Sequence, residues 1–517
     1  MRALLAAGLF FLSAATCDAG SVRVIAFDDD GRLLDTAGLL RYISPAAFSR
    51  AGIGPDKSGL FVSDLDGRAA GGRPWWVARS TMPVWAWADA ERVRFSLPWP
   101  VQKDGFSTAL LDARGEGYAD DQELLLNEEI AVAAYRRLQE SLKERIAEWT
   151  PAYAPTKPTT ALLERVKKLL ADAHAANVRR DRARLFDEAL TQIAFAGEQI
   201  LFEHGHQTVR DPKRGPQLRW GLTLDETVVD NAKEFDWLAK TAAGAGVNWV
   251  RLVFRLNGED FTFAKEKSFS HYDALVAALQ RNKIKVMGSI LDSMLWPKGV
   301  NADLYRERTN NLVFHFKDRI PSWEVASEPN GDWHGGTLTP VDEETKLLCI
   351  QRAVIEVKRI DPALETVATL HWWEGTASDD RHGLFQWLRW SMPRGFGKGL
   401  DVVALSVYPH RHPVGLAFDP AFRELRTLFP GARLMLGGWS FVEEDKLEGY
   451  WWLKPGNVGE SRKDLLVFFT GAAAAVPDSL GGGFFWPTFP QMLNIEKRKT
   501  TALFKIYEKT VERLRAP

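Results

Sequence analysis

The residues best placed to do chemistry lie between Ile320 and Asp332, in the stretch Ile-Pro-Ser-Trp-Glu-Val-Ala-Ser-Glu-Pro-Asn-Gly-Asp. Ile320 to Ala326 is strand-forming, and Pro329 forbids continuation of a hydrogen-bonded ladder. Glu328 is thereby held at the carboxyl end of a strand, where a parallel barrel places its chemistry. Asp292 and Glu374 also follow strand-like runs and are the other acids placed to reach the same end. Glu374 comes directly after Trp372 and Trp373, whose flat rings suit the apolar faces of sugars. The histidine pairs His204/His206 and His410/His412 come without a recognisable third ligand, so neither a metal nor a cofactor is expected.

The elements that must position these groups alternate in type from Leu218 onward. Strand-like runs are Leu218–Leu224, Trp249–Phe254, Ile284–Ile290, Ser322–Ala326, Thr366–Leu370, Val402–Val407, Leu434–Leu436 and Gly483–Trp486. Helical stretches such as Ala232–Ala245, Tyr272–Arg281, Glu343–Ile360 and Pro420–Leu428 separate them. Strands with helical returns over residues 216–517 predict a (β/α)8 TIM barrel. A doubly wound open sheet is the alternative, but no glycine-rich phosphate loop follows the first strand.

The run Trp-Glu-x-x-Ser-Glu-Pro resembles the fourth-strand signature of clan A glycoside hydrolases, W-[DE]-x-x-N-E-P, with Ser327 at the position of the asparagine. The resemblance implies that Glu328 is the general acid/base and that the ligand is a β-linked poly- or oligosaccharide. Arg251 in Trp249-Val-Arg251 looks like the second-strand arginine that supports the clan's nucleophile, and Arg255 on the same pleat is its substitute. Asp401-Val-Val-Ala-Leu-Ser-Val-Tyr-Pro-His410 is similar to the sixth-strand run D-x-x-x-x-S-x-Y-P, which sets Tyr408 and His410 at the barrel mouth. Trp486 matches the clan's sugar platform after strand eight. In an acid/base role Glu328 has to hold a proton near neutral pH, so the resemblance also implies a raised pKa.

The seventh strand departs from the clan pattern. Its text is Arg433-Leu-Met-Leu-Gly-Gly-Trp-Ser-Phe441, and the nucleophilic glutamate's position falls on Gly438, beside Trp439 as a further sugar contact. Three explanations follow. A glutamate has been replaced by glycine, in which case Arg251 or Arg255 and Tyr408 should face a void. Alternatively the enzyme inverts, with Asp292 or Glu374 activating water across about 6.5–9.5 Å from Glu328. In the third, the barrel binds glycan without cutting it.

Upstream of the barrel, residues 20–115 are short β-type runs broken by turns, which predict a small β-sandwich. Its dense tryptophans, Trp75, Trp76, Trp85, Trp87 and Trp99, are read as core and interface packing rather than a carbohydrate-binding surface. Residues 116–215 read as a helical connector, with its first helix expected from Asp120 to Trp149. Residues 1–19 have the form of a secretory signal peptide: one positive charge, a short apolar run, then small residues. A secreted or periplasmic bacterial protein is expected, with a lipoprotein anchored at Cys17 the less favoured alternative. The formal net charge of -1 gives no electrostatic reason to expect nucleic acid as partner, and no later segment reaches transmembrane length.

Overall fold

A computed structural model describes residues 20–43, 59–70, 75–76, 82–102, 105–225, 232–254, 269–293, 296, 299–334, 341–374, 381–409, 412–439, 458–485 and 492–515. The signal-peptide segment lies outside the described residues.

Two small sheets open the chain. One has the order β3-β4-β1-β7, from β1 (Gly20–Ile25), β3 (Trp75–Trp76), β4 (Val84–Trp87) and β7 (Gln122–Leu125). The other has the order β2-β5-β6, from β2 (Phe61–Asp64), β5 (Val93–Gln102) and β6 (Gly105–Leu111). Trp85 of the first sheet meets Phe95 of the second at 5.0 Å between ring centroids, and Trp85, Trp87 and Trp99 are all buried packing groups. Pairing of β1 with β7 is parallel, and β7 takes up residues expected to be helical. The first long helix therefore starts at Leu126 and runs to Ala147, and Lys157–Ala175 and Arg179–Arg210 follow as two more.

Eight strands then close into a parallel barrel: β8 (Arg219–Leu224), β9 (Trp249–Val253), β10 (Lys285–Ser289), β11 (Ser322–Ser327), β12 (Glu365–His371), β13 (Val402–Val407), β14 (Arg433–Trp439) and β15 (Ser479–Phe485). Neighbours follow sequence order and β15 closes onto β8. Helices return the chain between strands, as a (β/α)8 barrel requires. The last strand is longer than Gly483–Trp486 and starts earlier. Gly481, Gly482 and Gly483 all have positive φ (78°, 97° and 66°), and a Cβ on Gly482 would meet the Leu436 carbonyl oxygen at 2.3 Å. Met287, Val367, Val402, Ala404, Met435 and Leu480 form a separate apolar cluster that fills the barrel.

The N-terminal parts brace the barrel close to its mouth. Thr108 Oγ1 donates to the Pro413 carbonyl (2.5 Å) and Ser107 Oγ accepts from the Leu416 amide (2.6 Å). Both tie the β5–β6 hairpin to the loop after β13. Arg145 of the first long helix is wholly buried, stacks on Trp149 at 4.1 Å, and binds Asp419 and the Ala475 carbonyl (2.8 Å). His204 is consumed in the same contact through Nδ1, 2.8 Å from Arg145, and is thus structural. No helix of the described residues is long and apolar enough to cross a membrane.

Candidate active site

Every residue of β11 is buried, and the strand ends where Glu328 turns into the left-handed region at φ 50°. A non-glycine residue costs roughly 1–3 kcal/mol there, so the surrounding bonds must enforce it. The Glu328 amide donates to the Thr369 carbonyl (2.7 Å), and the Gly331 amide returns to the Glu328 carbonyl (2.9 Å). Asn330 locks this turn to the end of β12. Its Nδ2 donates to the His371 carbonyl (2.8 Å) and its Oδ1 accepts from the His371 amide (2.8 Å). Buried Lys346 holds the Gly331 carbonyl at 2.8 Å from below.

So oriented, Glu328 is 7% exposed and its carboxylate meets donors on both oxygens. Ser406 Oγ donates to Oε1 (2.6 Å) and Ser293 Oγ to Oε2 (2.9 Å). His371 Nδ1 stands 3.6 Å from Oε1, an ion-pair distance rather than a hydrogen bond. The Tyr408 hydroxyl also reaches the carboxylate, and its pKa is pushed well above the usual phenol range by burial and the Glu328 charge. Burial pushes the Glu328 pKa up, but His371 first, then the Ser406 and Tyr408 hydroxyls, outweigh it and hold the group at about 2. The raised value implied by the acid/base role is thus overturned. Free of ligand, Glu328 is a carboxylate.

Below this layer Arg251 faces Glu324 rather than a void. Its Nε lies 3.1 and 3.0 Å from the two Glu324 oxygens, its Nη2 2.6 Å from Oε2 and 3.2 Å from Ser327 Oγ. Thr369 Oγ1 completes the pair with a 2.5 Å bond to Glu324 Oε1. Burial alone would lower the Arg251 pKa; the Glu324 carboxylate, and behind it Asp292, raise it instead. Asp292 is 4% exposed, and its charge acts on both Arg251 and Tyr408, so it shares the mouth with Glu328.

Gly438 pairs in register with Ser406, while the register slip between Leu405 and Ser406 leaves Gly437 as an extra residue. A Cβ on Gly437 would meet Ala404 Cβ and Thr369 Cγ2 at 2.8 Å, which places it inside the barrel. Gly438, beside the serine that holds Glu328, occupies the strand-seven position at the mouth without offering a carboxylate.

Several other expected contacts are corrected. Trp372 is fully buried and its Nε1 donates to the Pro413 carbonyl (3.0 Å), so it buttresses the loop held by the N-terminal hairpin. Trp439 is likewise core: its Nε1 donates to the Gly483 carbonyl (3.2 Å) and its ring packs 5.1 Å from Phe469. Trp373 is also buried: its Nε1 donates to the His382 carbonyl, and its ring lies 5.4 Å from His371 and 5.5 Å from Trp333. Arg255, His410 and Trp486 lie outside the described residues.

Glu374 is turned away from the mouth towards Gln386, the Phe385 amide and Arg389 of the next helix, and does not serve as the water-activating acid. Burial pushes its pKa up to about 7 against the weaker pull of those partners, and among the described residues its Oε2 has no hydrogen-bond partner. A carboxyl with a raised folded-state pKa contributes stability that is fully present below the unfolded value and lost as pH rises through the folded one. Glu374→Gln should therefore leave thermal stability nearly unchanged at pH 4 and increase it above pH 7 by about 1–3 kcal/mol. The added amide can also donate to Gln386 Oε1, which lacks a partner. A gap between the two melting curves that does not widen with pH would count against this.

Ser293, Ser406, His371, Glu324, Asn330 and Trp333 were not singled out from the sequence as site residues. Ser406 and His371 had a usable signal: Ser406 shares a pleat with Tyr408, and Val367, Thr369 and His371 alternate onto one face of β12. Among the described residues no group of three or more His, Cys, Asp or Glu is placed to hold a metal ion.

No family model matches the chain, and no curated protein matches it. Solved structures with a similar barrel include the β-glycosidase BGL167, at 14% identity and TM-score 0.44, covering 58% of this chain and 96% of that one. A family 1 β-glucosidase from Thermotoga maritima aligns at 12% identity and TM-score 0.43, over 58% of this chain and 98% of that one. An exo-β-1,4-mannosidase from Opitutaceae bacterium strain TAV5 aligns at 12% and 0.40, over 58% and 60%. At such values these likenesses say nothing of what this chain acts on.

Proposed function

We propose that the protein is an exported glycoside hydrolase acting on a β-linked poly- or oligosaccharide, with Glu328 as acid/base and Asp292 as the second acid. The observation that supports this is the setting of Glu328: a strained strand end, serine donors on both oxygens, Tyr408 beside it and the Asp292 charge beyond. An oxocarbenium-like transition state needs a proton donor at the leaving oxygen and negative charge on the opposite face. Gly438 supplies no such charge and Glu374 faces elsewhere, which leaves Asp292 among the described acids to activate water. That is an inverting arrangement, and it calls for about 6.5–9.5 Å between the carboxyl groups. Residues 1–19 support export, and the β-linkage rests on the fourth-strand motif.

The test is turnover of a panel of β-linked oligosaccharides and aryl glycosides, with the product anomer read by NMR. The inverted anomer is expected, with a loss of roughly 10²–10⁴-fold in Asp292→Asn. Gly438→Glu, or added azide, should not raise the rate. A gain of several orders of magnitude from either would mean that the chain lacks only its nucleophile. An inert panel that still binds in calorimetry would make it a carbohydrate-binding barrel, a reading favoured by the absence of a carboxylate at Gly438.

A further inference from the structure

The end of the barrel opposite Glu328 gathers more positive charge than its own carboxylates neutralise. Three neighbouring strands, β14, β15 and β8, begin there with Arg433, Ser479 and Arg219. Arg433 shares a face of β14 with Met435, which fills the barrel, and Arg219 Nη1 lies 4.0 Å from Met435 Sδ. Both guanidinium groups therefore belong to the barrel floor. Arg214, in the turn before β8, joins them by donating from Nη2 to the Ser479 carbonyl (2.7 Å). Lys285, at the start of β10, adds a further cation beside Trp249 (5.7 Å).

The carboxylates at this end are already committed. Glu365 takes Arg219 Nη2 on both oxygens (2.7 and 2.8 Å) and accepts from Ser322 Oγ (2.6 Å). Asp478 pairs with Arg426 (3.2 Å), and Asp401 with Lys358 (2.7 Å) and the Thr366 amide (2.8 Å). Arg433 and Arg214 are left without a counter-ion among the described residues. Arg433 Nη2 and Arg214 Nε are both buried, and among the described residues neither has a hydrogen-bond partner. Buried donors left unpaired are costly and call for an acceptor. Burial first, then the charges of Arg214 and Arg219, lower the Arg433 pKa by more than Glu365 and Asp478 restore. A guanidinium nevertheless keeps its proton in a protein, so an anion, not deprotonation, relieves the repulsion.

We propose that the barrel floor binds a tetrahedral oxyanion, phosphate or sulfate, between Arg433 and Arg214. A guanidinium carries its donors in a planar fork, which matches two oxygens of such an anion. The anion supplies acceptors to Arg433 Nη2 and Arg214 Nε and offsets the charge of Arg219 beside them. A carboxylate such as acetate brings one charge and two oxygens, and chloride brings no fork to match, so both bind more weakly. The site lies at the amino ends of the strands, remote from Glu328 at their carboxyl ends. In a barrel of this kind that face serves stability rather than chemistry, so the inference is independent of what the chain acts on.

Thermal unfolding of the full chain in phosphate, sulfate, acetate and chloride at pH 7, matched in ionic strength, tests this. Phosphate and sulfate should raise the melting temperature above its value in chloride, saturably and by roughly 2–4 °C well above their Kd. Acetate should do less. Calorimetry with inorganic phosphate should show binding that Arg433→Met abolishes, together with the thermal shift. In chloride that variant should melt no lower than the parent, because it removes a repelled charge. Arg214→Gln keeps Arg433 in place and should weaken phosphate roughly tenfold, so the test stands even where Arg433→Met does not fold. Arg165→Met, at an exposed arginine elsewhere, should keep the full response. Equal melting in phosphate and chloride overturns the site and leaves water as the partner of the two donors. A phosphate response undiminished in Arg433→Met or Arg214→Gln overturns it as well.

Discussion

Replacing Glu328 with glutamine is expected to cut hydrolysis of glycosides with poor leaving groups by roughly 10²–10⁴-fold. Glutamine keeps the shape; its carbonyl oxygen can still accept on one side while its NH2 group donates to a serine hydroxyl on the other, but it can neither carry a proton to the leaving oxygen nor return one. The loss should lie in kcat, because Glu328 already has donors on both oxygens without ligand and is not held in reserve for binding. Activated aryl glycosides should lose far less, and glycan affinity by calorimetry should change little. Equal turnover by both proteins on an unactivated oligosaccharide would remove Glu328 from the chemistry.

The second large effect is on stability. Arg251→Met should destabilise the fold by about 3–5 kcal/mol, because Glu324, 1% exposed, would be left as an unpaired charge inside the barrel. The pair lies where Arg251, Glu324, Ser327 and Thr369 join three strands, β9, β11 and β12, so its loss is felt across the barrel. Arg251→Met with Glu324→Leu should recover most of the loss, since no buried charge remains. Urea midpoints for the single and double variants measure this. A single-variant cost below about 1 kcal/mol would show that Glu324 takes up a proton or finds another partner.

The Arg251–Glu324 pair also balances its buried charge without a carboxylate from β14. The resemblance assigns the second-strand arginine to a nucleophile on strand seven. Here that strand carries Gly437 and Gly438, and a carboxylate from strand four, inside the same motif, neutralises the arginine. The charge balance is kept by a residue whose role in the motif gave no hint of it.

The barrel and the position of Glu328 at a strand end are legible in the sequence because they depend on local pattern. Strand-like runs alternating with helical ones set the closed parallel sheet, and Pro329 ends β11 so that Glu328 falls at the mouth. Asp292 and Tyr408 are found the same way, from their positions just past strand ends. What the local pattern does not contain is which way a side chain turns once it leaves the ladder, and what it meets there. Trp372 follows β12 as closely as Glu328 follows β11, and Glu374 comes two residues later, yet one faces the core and the other a helix. The protonation state of Glu328 is likewise a tertiary property. Burial alone would favour the acid, and only His371 at the end of β12, with the Ser406 hydroxyl of β13 and the Tyr408 hydroxyl just past it, reverses that sign. All three lie far along the chain from Glu328, and closure of the barrel, which makes neighbours of distant strands, brings them to one carboxylate.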